Sequence, residues 1–454
     1  MAFRRTAVTK KVITGLVAGL VAGTALAGTA HAESISGSGA TFPKTFLDAC
    51  IPLFNQKSGH TLSYNAKGSG GGKTDFKNGL TDFAGTDSLV ASKDAPSFNW
   101  TYVPYLLGGI GVVFRLDELQ GADLSLSAAT VGGIFAGQIT KWNDPKIVAD
   151  VKANPVFANS VKKSAYKGAV ATLKADSTAT ATVSVNMTAA AAKSTKGKKI
   201  DVIQNLKGKK TALKSVATKV GAVIIPIKTV ANAEYSIEIS GKKIATFKAA
   251  KVALPDKNIT VVYRSDGSGT TNNFISYLKN TDTANAWTIA DAFSSAFPGG
   301  SSAVPGGFQG QSGSTALSNY VASNNGTIGY TETSYVIERE SQGMKAAYIK
   351  NAAGKYVYPT SANVAAFLSD YTPGAKGTVG FKYTNTDPAA YPIAAVTYLL
   401  GKTTASAKNQ IVSDFATFLL DECGPQLAES LYYAPVTGSL LKSAESLAKT
   451  INAG

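Results

Sequence analysis

The run Arg264-Ser-Asp266-Gly-Ser268-Gly269-Thr270-Thr271 places a guanidinium, a carboxylate, two glycines and a row of hydroxyls between a β-branched stretch and a helical pattern. That combination suits an oxyanion. Glycines let the backbone approach a ligand, hydroxyls cap or donate, and a helix start presents unpaired N–H groups at a positive dipole end. The Arg264 fork matches tetrahedral oxygen geometry, and Asp266 is placed to fix it. The same grammar occurs in Ser36-Gly-Ser-Gly-Ala-Thr41-Phe42-Pro43 and in Lys67-Gly68-Ser69-Gly70-Gly-Gly72-Lys73-Thr74. Any one of these is commonly only a helix cap, whereas three converging would hold a small multivalent anion. The second run has three residues, not the four of a P-loop, between its outer glycines, so ATP is not expected.

Asp82-Phe-Ala-Gly-Thr-Asp87 reads as a buried strand ending on a carboxylate. A carboxylate in an anion site repels its ligand unless the ligand has a proton to give. Hydrogen phosphate has one and sulfate at neutral pH has none, so Asp87 as acceptor would admit the first and penalise the second. The alternative role for Asp87 is an ordinary turn or cap.

Catalysis is poorly supplied. Ser268 lacks the first glycine of Gly-x-Ser-x-Gly, and His60 is the one histidine beyond His31, so neither a serine hydrolase nor a metal-dependent phosphatase is expected. No cofactor and no metal site are expected.

These loops need elements to position them. Arg4, Arg5, Lys10 and Lys11 precede an apolar run and Ala30-His31-Ala32, which reads residues 1–32 as a signal peptide. No cysteine follows as a lipid acceptor, so a free protein in the periplasm, or one secreted or held at the cell envelope, is expected. The only cysteines, Cys50 and Cys423, either pair or lie buried as thiols. Residues 33–155 and 254–454 alternate strand and helix signals, as α/β layers do. Thr45–Phe54 has a helical apolar stripe, Tyr102–Phe114 reads as a buried strand, Leu126–Phe135 as a helix and Tyr391–Leu400 as another buried strand.

Residues 156–253 differ, with period-two alternation in an Ala/Lys/Ser/Thr background, and suit an inserted all-β, Ig-like sandwich. The net charge of +16 is concentrated there: 18 Lys against 4 Asp or Glu, leaving the rest of the mature chain near neutral.

Taken together, Ser38-Gly-Ala-Thr41-Phe42-Pro43, Gly68-Ser69-Gly-Gly71, Asp82–Asp87 and Arg264–Thr270 resemble the phosphate-binding proteins of Pst-type ABC transporters. Lys141–Pro145, Gly326–Tyr330, Tyr391-Pro-Ile393 and Tyr433-Ala-Pro435 extend the resemblance outside the insertion. It implies a two-lobed periplasmic-binding-protein fold, a type II clamshell. Lobe one is then 33–107 with 392–454, and lobe two is 108–155 with 254–391, carrying the insertion at 156–253.

The implied phosphate contacts are Thr41, Phe42 N–H, Ser69, Asp87, Arg264, Ser268, Gly269 N–H and Thr270, with Asp266 in support. The implied partners are inorganic phosphate and the membrane permease subunits, with no nucleic acid, and the implied state is a monomer. The basic insertion departs from the family pattern. It is expected either to hold the protein on an anionic cell-envelope polymer or to be a solvated spacer. Alternative functions are binding of another tetrahedral oxyanion, or adhesion or scaffolding on a clamshell that has lost its ligand.

Overall fold

The computed structural model describes residues 32–119, 123–153, 157–159, 168–175, 180–230, 233–249 and 254–454. The signal-peptide reading of 1–32, save Ala32, and the insertion's outermost boundary residues fall outside them.

Three parallel strands open the fold: β1 (Ser34–Gly39), flanked by β2 (Thr61–Ala66) and β3 (Phe83–Thr86). Helix α1 (Lys44–Ser58) joins the first two, burying Phe46, Leu47, Cys50 and Phe54, and it stops at Gly59, whose left-handed conformation costs a glycine little. Helix α2 (Ser69–Lys77) leads from β2 towards β3.

Strand β4 (Trp100–Arg115) is the spine of the molecule, buried along all but its two end residues. It pairs with the strand Ala394–Lys402 as far as Gly109, and from Ile110 onward with Thr327–Glu332. One ten-stranded sheet therefore serves two lobes. Pro104 sits inside β4 next to a register shift opposite Thr397 and Tyr398, where a missing N–H is tolerated. A Cβ on Gly108 would stand 2.6 Å from the Phe42 ring, so the glycine lets the first loop pack against the crossing. The returning chain is bonded at the same level: Ile110 N–H donates to Ile393 O at 2.8 Å, and Tyr391 O–H to Ile110 O at 2.8 Å.

The second lobe's strand Thr260–Arg264 runs parallel to Thr327–Glu332 and Gln309–Gln311. Its helices Gly269–Thr281 and Gly313–Ser323 start beside the site. Both cysteines are buried, and the structure joins Cys50 to Cys423 by a disulfide. The helix read from Leu126 begins at Ala128, after a two-residue strand, and the strand read from Tyr391 begins at Ala394.

The insertion forms two antiparallel sheets, one of five strands and one of three, around a separate core. In Gly221–Lys228, Val223, Ile225 and Ile227 face inward while Ala222, Ile224 and Lys228 face out, the alternation a half-buried strand requires. An all-β reading misses one element. Ala189–Ser194 is helical, started by Thr188, whose hydroxyl accepts from Ala191 N–H at 3.2 Å.

Candidate ligand-binding site

All three glycine loops meet at the cleft between the lobes. Gly39 O accepts from Lys67 N–H at 2.9 Å and Gly68 N–H at 2.8 Å, binding the first loop to the second. Gly70 N–H donates to Gly267 O at 2.8 Å, binding the second to the third across the cleft. A Cβ on Gly68 would lie 2.4 Å from Asp266 Oδ2 and its φ is 94°, so this position takes only glycine without strain. A Cβ on Gly269 would lie 2.5 Å from Ser69 Oγ and 2.7 Å from Asp87 Cβ, which places both side chains against the start of the Gly269–Thr281 helix.

Arg264 is 2 % exposed, a burial that a guanidinium tolerates only when paired. Its Nε and Nη2 donate to the two oxygens of Asp266 at 2.7 and 2.5 Å, and Nη1 to Ser314 Oγ at 3.1 Å. Burial alone would raise the Asp266 pKa, but the hydrogen bonds and charge of Arg264 and the Gly313 N–H outweigh it and hold the carboxyl below its ordinary value. Ser268 caps its helix by accepting from Thr271 N–H at 3.1 Å, which leaves the hydroxyl proton to donate elsewhere. Thr270 Oγ1 is buried without a hydrogen-bond partner. A buried orphan hydroxyl costs about 1–3 kcal/mol, and an anion's oxygen at this helix start would satisfy it.

Asp87 is 3 % exposed. Its Oδ1 accepts from the Thr397 hydroxyl at 2.8 Å, its N–H donates to Ser69 Oγ at 3.2 Å, and its carbonyl accepts from Asn273 Nδ2 at 2.6 Å. Burial pushes its pKa up to about 7; Thr397, Arg264 and Ser69 pull against that rise, while Asp291 adds to it. The carboxyl is thus poised to accept a proton at neutral pH. Thr41 Oγ1 lies 2.9 Å from Ser314 Oγ, closing the first loop onto the second lobe, and Phe42 O accepts from Tyr433 O–H at 2.6 Å. Lys73 of α2 donates to Asp291 at 2.7 Å, a further bond across the cleft.

Every ligand-contact residue named from sequence thus lies at the cleft, and four others with them were not named as site residues. Ser314 begins a fourth helix start of the same grammar, Gln311-Ser-Gly-Ser314-Thr315, so its signal was legible. Asn273 follows Thr270 by less than a turn. Thr397 lies inside a strand buried along all but its last residue and carries no local signal. Glu332 ends its strand opposite Ile110, where β4 changes partner, and is fully buried with Oε1 unpartnered. Burial pushes its pKa up to about 8 against its own backbone N–H, the charge of Arg264, and Thr331 and Ser314.

Among the described residues no group of three or more His, Cys, Asp or Glu could hold a metal ion, and no helix is long and apolar enough to cross a membrane. His60 accepts from Glu33 N–H at 3.2 Å, at the end of β1 opposite the cleft.

A hinged sheet shared by two lobes, with helix starts facing a cleft, is the architecture of the PBP superfamily, and the chain belongs to it. The PBP superfamily domain model matches residues 24–240 and 161–422. The family is one of binding receptors rather than enzymes. Among its relatives, the chain is 24 % identical over 415 residues to the phosphate-binding protein PstS of Xylella fastidiosa strain 9a5c, covering 91 % of this chain and 84 % of that one. It is 24 % identical over 428 residues to PstS of Haemophilus influenzae, covering 93 % and 94 %. A solved structure of a high-affinity periplasmic phosphate-binding protein, PfluDING bound with phosphate, superposes with a TM-score of 0.57 at 18 % identity, over 91 % of this chain and 93 % of that one.

Proposed function

We propose that the protein captures one inorganic phosphate ion outside the cytoplasm and delivers it to the permease subunits of an ABC transporter. The observation that carries this reading is the pairing of Asp87, buried with a pKa near 7, with the fixed Arg264 fork and the orphan Thr270 hydroxyl. A buried carboxylate beside an anion site selects a ligand that brings its own proton. Thr41, Phe42 N–H and Ser69 hold the ion from lobe one, and Arg264, Ser268, Gly269 N–H and Thr270 from lobe two. Asp87 accepts the ligand's hydrogen. Each lobe binds only part of the ion, so capture favours the closed state.

The hinge lies at Gly109–Ile110 and Tyr391–Ile393. Lobe one comprises 33–107 and 392–454, and lobe two 108–391 with the insertion. The mature protein is a monomer that loses residues 1–32 on export, and its basic insertion rests on an anionic polymer of the envelope.

Calorimetry on the mature chain tests the ligand. At about pH 9, two units above the Asp87 pKa, phosphate and arsenate, which still carry the same proton, bind with Kd values within about tenfold of each other, and sulfate binds about 100-fold more weakly, a difference of about 3 kcal/mol. Equal affinity for sulfate removes the proton-acceptor role of Asp87. No affinity for any of the three returns the chain to a scaffold role.

A further inference from the structure

The insertion's lysines have a direction. The chain enters at Phe157 and leaves at Ala249, which face each other in register, so that end of the five-stranded sheet is the attached end. The opposite end is marked by the pairs Ala217↔Lys199 and Ile239↔Lys242. The three-stranded sheet ends at the same level with Met187↔Gly221, since only residues 218–220 separate Ala217 from Gly221. The helix Ala189–Ser194 and the turn at Ser240-Gly241 close this distal end.

Lys193, Lys196, Lys199, Lys219, Lys242 and Lys243 all stand exposed on it, and among the described residues none of the six enters an ion pair. Two acids stand nearby, Asp201 accepting from Ser215 Oγ at 2.7 Å and Glu238, cross-strand from Lys243, accepting from Ser236 Oγ at 2.8 Å, and the six lysines outnumber them. Six like charges converging on the end furthest from the clamshell raise the local potential and repel one another, a cost that an anionic partner relieves.

The side-chain chemistry narrows the partner. Residues 156–253 contain no arginine, so the tip offers point charges and no planar fork, which suits a polyanion of repeated charge rather than one carboxylate or phosphate gripped bidentately. Among the described side chains of the insertion, the exposed large apolar residues are Val170, Val220, Ile224 and Val230, with no aromatic among them, while Tyr235 and Phe247 are buried. Base stacking and the interfacial anchoring of a bilayer both use exposed aromatics. We propose that this lysine tip docks on a linear phosphodiester polymer of the cell envelope and so tethers the receptor by its far end. This rests on the reading of the insertion given above and names its partner and contact.

The test uses immobilised poly(glycerol phosphate) and the full mature chain. One variant reverses the tip (Lys196→Glu, Lys199→Glu, Lys242→Glu, Lys243→Glu); another reverses the attached end (Lys207→Glu, Lys209→Glu, Lys210→Glu). Phosphate calorimetry on each confirms folding. The parent is expected to bind with a log affinity against log salt slope of about −4, from six contacts at about 0.7 each. The tip variant is expected to lose at least tenfold in affinity and most of that slope, and the attached-end variant less than threefold. Equal loss in both variants overturns the tip while leaving a diffuse basic insertion in place. Absence of parent binding overturns the tip and the envelope reading together. Binding to phosphatidylglycerol–phosphatidylcholine vesicles but not to the polymer overturns the choice of partner.

Discussion

The clamshell and the insertion handle charge in opposite ways. The clamshell is close to neutral and sinks its functional charges out of water: Arg264, Asp87 and Glu332 are each 3 % exposed or less. Each then needs a partner, and the partners come from distant parts of the chain. The insertion keeps an aliphatic core of Val183, Val185, Ile200, Val202, Ile225 and Ile237 and, among its described residues, leaves most of its lysines exposed. Buried charge in fixed geometry discriminates between ligands, whereas exposed charge attracts a class of surface without discriminating. On the proposed function, selectivity belongs to the clamshell and location to the insertion.

The contrast predicts effects of very different size. Arg264→Ala removes the fork and leaves Asp266 with backbone N–H partners and no cation; phosphate affinity is expected to fall about 10³-fold, about 4 kcal/mol, by calorimetry. A smaller effect belongs to Asp87. Sulfate carries no proton to give, so in the parent its affinity should fall by about tenfold per pH unit, about 1.4 kcal/mol, as pH rises through about 7 and the carboxyl ionises. Below that pH the protonated acid becomes a donor and the penalty fades. Asp87→Asn is expected to abolish this slope, measured by competition over the same range; a slope that survives assigns it to another group. The smallest effect is expected from excising the insertion. Phe157 and Ala249 are cross-strand neighbours, so a short glycine linker spans the gap. Phosphate affinity is expected to change less than about twofold, and a larger loss would show that the two regions are coupled.

Much of the site was legible because its chemistry is local. A glycine loop at a helix start, Asp266 two residues from Arg264, and a carboxylate at the end of Phe83–Thr86 are all short-range signals. What the sequence could not show is assembly over long separations. Thr41 meets Ser314 across 273 positions, and Thr397 meets Asp87 across 310. Nothing near Thr397 or Glu332 distinguishes them from any polar residue in a buried strand, and only packing turns them towards the cleft. The insertion's sheets followed from alternation. Its helix did not, because Ala189-Ala-Ala-Ala-Lys193-Ser194 is short and helix formation there depends on the Thr188 cap and the burial of Ala191.

The disulfide joins α1 to the far end of the chain, and the strand that supplies Thr397 lies on the same late stretch. As the polypeptide grows from its N-terminus, the second lobe and the insertion have all their residues well before the first lobe does. The binding cleft is therefore the last part of the molecule to mature. A chain cut before Ala394 would leave Asp87 without the Thr397 hydroxyl and Cys50 as an open thiol, a species chemically distinct from the full-length chain.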